Sequence, residues 1–195
     1  MSTPVRFVTA ASLFDGHDAA INLMRRLLQR HGAEVIHLGH NRSVAEVVTA
    51  ALQEDVHGVA VSSYQGGHLE YFRYLVEELR RHGADGVKVF GGGGGVIIPS
   101  EIEELHRAGV TRIFSPEDGQ RMGLDGMIGW MVEEARSDRV RPLRLDALLA
   151  GDHRALAEAL TAIEADALVP AELAAIRDAA AARPAGVLGV TGTVG

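Results

Sequence analysis

Residues 58–90 read GVAVSSYQGGHLEYFRYLVEELRRHGADGVKVF. The run Gly58 to Ser62, bounded by turn residues, predicts a strand. After the turn at Gly66-Gly67, residues His68 to Arg81 predict a helix that stops near Gly83. Val87 to Phe90 is a second strand. Strand, helix and strand in succession form a βαβ unit, whose crossover is right-handed and whose strands are parallel.

The same alternation extends in both directions. Upstream, Val5 to Ala10 predicts a strand. His17 to His31 predicts a helix with Ala20, Leu23, Met24, Leu27 and Leu28 on one face, stopped by Gly32. Glu34 to Leu38 is another strand. Ser43 caps a further helix reaching about Glu54, with Glu46 three residues on as its capping-box partner. Downstream, Pro99 to Ala108 is helical up to Gly109, Thr111 to Phe114 is a strand, and Gly119 to Glu134 is helical. About five strands alternate with about five helices over residues 5–135. The fold class is therefore α/β: a flavodoxin-like (Rossmann-like) five-stranded parallel sheet with helices on both faces. Order 2-1-3-4-5 is the natural choice for five strands.

Composition changes after Ser137. Residues 143–182 are rich in Ala and Leu at helical spacing, with no strand candidate. Residues 185–195 begin like a strand entering a Gly-rich turn. The organisation expected is an α/β domain over 1–137, a helical linker over 138–184 and the start of another domain over 185–195. The length, 195 residues, suits one domain with extra structure.

The chain is 47% hydrophobic and carries a formal net charge of −7. That balance argues against a nucleic-acid surface, which must neutralise phosphates. Absence of cysteine removes disulfides, thiolate metal sites and cysteine nucleophiles. Met1 to Val8 lacks the pattern of a secretory signal, and no apolar stretch is long enough to span a bilayer. The expected setting is cytoplasmic, with no membrane partner. Lys88 is the only lysine.

Ligands of such sheets bind outside the carboxyl ends of the strands. The loops there are Ala11 to His17, Ser63 to Gly67, Gly91 to Gly95 and Ser115 to Asp118. In the first, His17 is a potential transition-metal ligand, and Asp15 is placed to fix its tautomer. The same residues also read as an ordinary helix start, with Asp15 as cap and His17 on an exposed first turn. In the second, Ser62, Ser63 and Tyr64 offer hydroxyl groups and space at a strand end. In the third, five consecutive glycines permit close backbone approach, at roughly 0.5–1 kcal/mol each relative to Ala. No placement satisfies GxGxxG, because the last position falls on Val96, Ile97 or Ile98. No lysine follows, so a P-loop fails as well. A flat, bulky ligand fits this run better than a pyrophosphate.

Taken together, Asp15-Gly16-His17 after strand 1, Ser62-x-Tyr64 after strand 3 and the glycine run after strand 4 resemble the DxHxxG…SxL…GG pattern of base-off/His-on cobalamin-binding domains. Within that family, Asp15 to Asn22 and Phe90 to Gly95 are most similar to the fused isobutyryl-CoA mutase subfamily. Two positions depart from the general pattern: Ala20 stands in place of its final Gly, and Tyr64 in place of its Leu. Gly192 to Gly195 resembles the opening of a P-loop GTPase domain.

The resemblance implies adenosylcobalamin as cofactor, with His17 as lower axial ligand of cobalt and Asp15 behind it. It implies a slot for the dimethylbenzimidazole tail beside Ser62, Tyr64, Gly91, Gly92, Gly93, Gly94, Gly95 and the loop of Ser115, Pro116, Glu117 and Asp118, with Asp15, Gly16 and Asp18 as further cofactor-binding residues. It implies GTPase and mutase-barrel domains as partners and an isomerase acting on isobutyryl-CoA/n-butyryl-CoA or methylmalonyl-CoA type substrates. The chain alone then binds cofactor and catalyses nothing. A corrinoid protein of a methyl-transfer system shares the motifs, and a receiver-like regulatory domain shares the fold class.

Overall fold

The computed structural model describes residues 4–16, 18–136, 142–183, Gly186 and Gly189, and for Asp18 the backbone only. Two compact units divide the chain, Met1–Arg139 and Val140–Gly195.

In the first unit, β1 (Arg6–Ser12), β2 (Glu34–Arg42), β3 (Gly58–Ser62), β4 (Lys88–Gly92) and β5 (Arg112–Phe114) form one sheet. Its order is β2-β1-β3-β4-β5 and every pair is parallel, as expected. The connecting helices are α1 (Asp18–Arg30), α2 (Val44–Gln53), α3 (His68–Arg81) and α4 (Pro99–Ala108), and α5 (Pro116–Ala135) follows β5.

Strand alternation sends side chains to two cores. Val8, Ala10, Val59, Val61, Val89 and Ile113 pack with α2, α3 and α4. Phe7, Ala60 and Phe90 pack with Leu28 of α1 and with Ile128, Met131 and Val132 of α5. Ser43 makes the expected capping box: its hydroxyl accepts the Glu46 N–H at 3.3 Å, and its own N–H donates to Glu46 Oε2 at 2.9 Å.

Several boundaries differ from the sequence reading. The second strand runs on to Arg42, because Ser12 still pairs with Arg42 past two register shifts. In α1, Leu23 is 46% exposed, while Ile21 and Leu28 are buried. Gly91 and Gly92 belong to β4, where they pair with Val61 and Ser62, so only Gly93 to Gly95 form a loop. The segment after β5 is a helix start: Ser115 is the N-cap and Pro116 opens α5, three residues before the expected Gly119.

In the second unit, α6 (Leu145–Leu149), α7 (His153–Glu164) and α8 (Pro170–Ala181) are all helical. Asp152 caps α7 by accepting the Ala155 N–H at 2.6 Å. The expected P-loop opening at 192–195 lies outside the described residues.

Candidate functional site

The α1/α5 face of the sheet is filled at one end and hollow at the other. Near the amino ends of the strands, Phe7 lies over Gly58, where a Cβ would sit 2.4 Å from its ring. Phe7 contacts Phe90 with centroids 6.0 Å apart, and Trp130 of α5 meets both Phe90 and Phe114 edge-on. The Arg112 guanidinium covers the Trp130 ring at 5.0 Å. Towards the carboxyl ends the side chains shrink. The register sets Ala60 beside Phe90 and Ser62 beside Gly92. A helix cannot follow so abrupt a loss of volume, and a cavity of about 290 Å³ remains between the strand ends and the two helices. Ala20, Ile21 and Met24 wall it from α1, and Met127, Ile128 and Met131 from α5.

Within this apolar slot one polar group has no partner. The Ser62 hydroxyl is buried and makes no hydrogen bond with any described residue. An unsatisfied buried hydroxyl costs roughly 1–3 kcal/mol. A ligand acceptor atom at this point recovers that cost. Across the slot mouth stands Tyr64, another lining residue.

The loops at the mouth are bound to one another. Asp15 is buried, and its Oδ2 accepts the Tyr64 N–H at 2.7 Å. Ser12 Oγ donates to Ser63 Oγ at 2.9 Å, and the Ser63 N–H donates to the Gly92 carbonyl at 2.9 Å. Gln65 Nε2 donates to the Leu13 carbonyl at 2.8 Å. The glycine loop needs its glycines for contact. A Cβ on Gly93 would lie 2.2 Å from the Ser63 carbonyl oxygen, and one on Gly94 2.5 Å from the Tyr64 ring. Gly94 also has φ +55°, a left-handed conformation that favours glycine.

The fourth corner is the start of α5. Ser115 and Pro116 line the slot, and Glu117 does not. The Ser115 hydroxyl accepts the Asp118 N–H at 3.3 Å, and Asp118 Oδ1 accepts from Arg112 at 2.7 Å. Burial pushes the Asp118 carboxyl up, but the Ser115 N–H and the Arg112 guanidinium outweigh it and hold the group below its ordinary value. It therefore stays ionised and fixes the helix start.

Of the residues singled out from sequence, Ser62, Tyr64, Gly91 to Gly94, Ser115 and Pro116 meet around this slot. Asp15 braces its mouth from the loop after β1, and Gly95 lies near Pro116, whose Cγ a Cβ at position 95 would meet at 3.5 Å. His17 lies outside the described residues, as does the side chain of Asp18. Among the described residues no group of three His, Asp or Glu side chains is placed to hold a metal. The apolar lining from α1 and α5, and Ala60, Phe90 and Phe114, escaped the sequence reading. The signal available was the period-2 pairing of Ala60 with Ser62 and of Phe90 with Gly92.

Known proteins resemble this chain at three levels. The model of the B12 binding domain family matches residues 5–124. Fused isobutyryl-CoA mutase of Cupriavidus metallidurans is 62% identical over 98% of this chain, and that of Nocardia farcinica is also 62% identical over 98%. The chain spans 18% of the length of each of these relatives. A cobalamin-binding protein from Desulfitobacterium hafniense DCB-2 shares the fold. Its crystal structure gives a TM-score of 0.56 at 21% identity, covering 69% of this chain and 60% of that one.

Proposed function

This chain belongs to the B12-binding domain family, and from that premise we propose that it holds adenosylcobalamin base-off/His-on for a cytoplasmic acyl-CoA mutase of which it is the cofactor-binding part. The observation that carries the proposal is the Ser62 hydroxyl, buried without a partner in an apolar slot at the strand ends. The slot matches a flat, largely apolar heterocycle with a nitrogen acceptor, which is what dimethylbenzimidazole becomes once it has left cobalt. Ser62 would donate to that nitrogen. Ala60, Gly92 and the methionines of α1 and α5 that line the slot would hold the ring, with Tyr64, Gly93 and Gly94 beside it.

His17 is the residue that would ligate cobalt, with Asp15 as its proposed partner. In the structure Asp15 accepts the Tyr64 N–H and so joins the loop after β1 to the one after β3. The bound cofactor supplies a cobalt–carbon bond whose homolysis starts the carbon-skeleton rearrangement. The chain contributes position: its apolar slot would bind the tail and keep water from it. Substrate selection, of the isobutyryl-CoA or methylmalonyl-CoA type, belongs to a mutase barrel, and a GTPase domain following residue 185 completes the assignment. The 62% identity to fused isobutyryl-CoA mutases supports this reading over a methyl-transfer or receiver role.

The test is spectroscopic. Adenosylcobalamin or cob(II)alamin mixed with the chain is expected to take on a base-off/His-on absorption spectrum. His17→Ala is expected to bind the cofactor base-off and lose the His-on signature. An unchanged spectrum in well-folded wild-type chain would sink the proposal.

A further inference from the structure

We propose that His68 is a positioning residue for the slot: with Glu101 it holds the loop after β3 and the glycine loop after β4 at a fixed spacing, an inference that rests on the cobalamin reading above. His68 opens α3 and is buried. Its Nδ1 lies 3.2 Å from the Gln65 carbonyl oxygen, and its Nε2 lies 2.9 Å from Glu101 Oε2. Both partners are acceptors, and only the doubly protonated ring donates to both at once. Glu101 lies in the first turn of α4, and the same Oε2 accepts the Ile98 N–H at 3.0 Å. Ile98 is the residue at which the chain leaving the glycine loop enters α4. The Ile98 N–H and the His68 ring hold the Glu101 carboxyl below its ordinary value, so it stays ionised. On the other side, the Gln65 side chain donates to the Leu13 carbonyl. The bridge therefore runs from the loop after β1 to the start of α4.

Helix α3 does not need this ring. A basic group in the first turn opposes the helix macrodipole. Neither His68 nor Glu101 lines the slot, so neither touches what binds there. The pair instead fixes two of the slot's walls from behind. Tyr64 precedes Gln65, and its ring lies 2.5 Å from where a Cβ on Gly94 would stand. Walls in such close contact keep their shape only when both backbones are held. Gly93 to Gly95 have no side chains with which to hold theirs, so the anchor at Ile98 and Glu101 must do it. Without that anchor the loop has to be ordered when the cofactor enters, which lowers affinity.

The experiment separates the two bonds of the ring. His68→Asn places an amide nitrogen near the Nδ1 position and cannot reach Glu101, whereas His68→Gln places one near the Nε2 position and can. Glu101→Asp keeps the charge at the helix start and is too short for His68. In the full chain, well below its melting temperature, His68→Asn and Glu101→Asp are each expected to bind adenosylcobalamin about tenfold more weakly, from ordering the loop on binding. The double variant is expected to bind no more weakly than either, because both changes break one bridge. His68→Gln is expected to bind like wild type. Without cofactor, the Val96 and Ile98 amides are expected to exchange faster in His68→Asn and at the wild-type rate in His68→Gln. Wild-type affinity in folded His68→Asn overturns the inference, even if its melting temperature falls, since that marks a purely structural role. Additive losses in the double variant, or unchanged exchange at Val96 and Ile98, overturn it too. If His68→Asn does not fold, Glu101→Asp carries the same comparison. Failure of wild type itself to bind overturns the cobalamin reading instead, and amide exchange still tests the bridge.

Discussion

Gly91 and Gly92 are neighbours in β4 and lack a Cβ for different reasons. At Gly91 the space is taken on the α3/α4 side: a Cβ there would lie 2.4 Å from Phe72 and 2.6 Å from Ile113. At Gly92 it would meet only the Phe114 carbonyl at 3.5 Å, an ordinary contact, and would project towards the slot beside Ser62. Gly91→Ala is therefore expected to lose about 1–3 kcal/mol of stability through overpacking. Gly92→Val is expected to keep wild-type stability and lose cobalamin binding. Urea unfolding paired with cofactor titration checks both, and equal destabilisation of the two variants would overturn the assignment of faces. A sequence reader sees one run of five glycines. Which of them serve the core, the turn or the ligand depends on Phe72, Ser63 and Tyr64, all distant in the chain.

At the scale of the element, capping chemistry was the most legible signal. The Ser43–Glu46 box forms as its spacing predicts, because both partners lie within one turn. The Ser43 N–H and hydroxyl, with the Arg42 guanidinium, lower the Glu46 carboxyl to about 2. A folded-state value below the unfolded one stabilises the protein above the ordinary carboxylate range, and the effect is lost as pH falls towards 2. Wild type is thus expected to lose stability between pH 5 and pH 2 more steeply than Glu46→Gln, as read by urea midpoints at several pH values in that range. α5 was harder to read. Ser115, Pro116 and Asp118 make a second capping box, but Gly123, at φ 65°, interrupts the helix and blurs its periodicity. Its start reads as a loop, because Ser115 to Asp118 carry turn-type residues that here form the N-cap and first turn. In α1 the helical spacing holds for Met24, Leu27 and Leu28, but Leu23 is exposed and Ile21, two positions earlier, is buried and lines the slot.

At the scale of the molecule, the slot is a void in the packing of the sheet against α1 and α5. It leaves a cavity of about 290 Å³ with a hydroxyl unpaired, so the sheet and helices α1 and α5 gain contacts when a ligand enters. A ligand that binds only the folded state adds RT ln(1 + [L]/Kd), or about 2.7 kcal/mol at a hundredfold excess over Kd. Cobalamin is accordingly expected to raise the melting temperature of the chain, further at each higher concentration. Scanning calorimetry with and without the cofactor measures this, and an unchanged transition at saturating cobalamin would contradict the slot assignment.

Strand and helix alternation, turn glycines, capping boxes and the placement of candidate residues at strand exits are local properties, encoded by neighbours within a few positions. They led to the parallel sheet and the corners of the site from the sequence alone, whereas strand order is non-local and 2-1-3-4-5 was the general preference of five-stranded sheets. The slot itself is a difference of volumes summed over three strands and two helices. It exists because Phe7, lying over Gly58, fills the amino end of a face that Ser62 and Gly92 leave open at the carboxyl end. Whether Ser62 has a partner depends on every side chain that folding brings near it. That is a property only the tertiary structure decides.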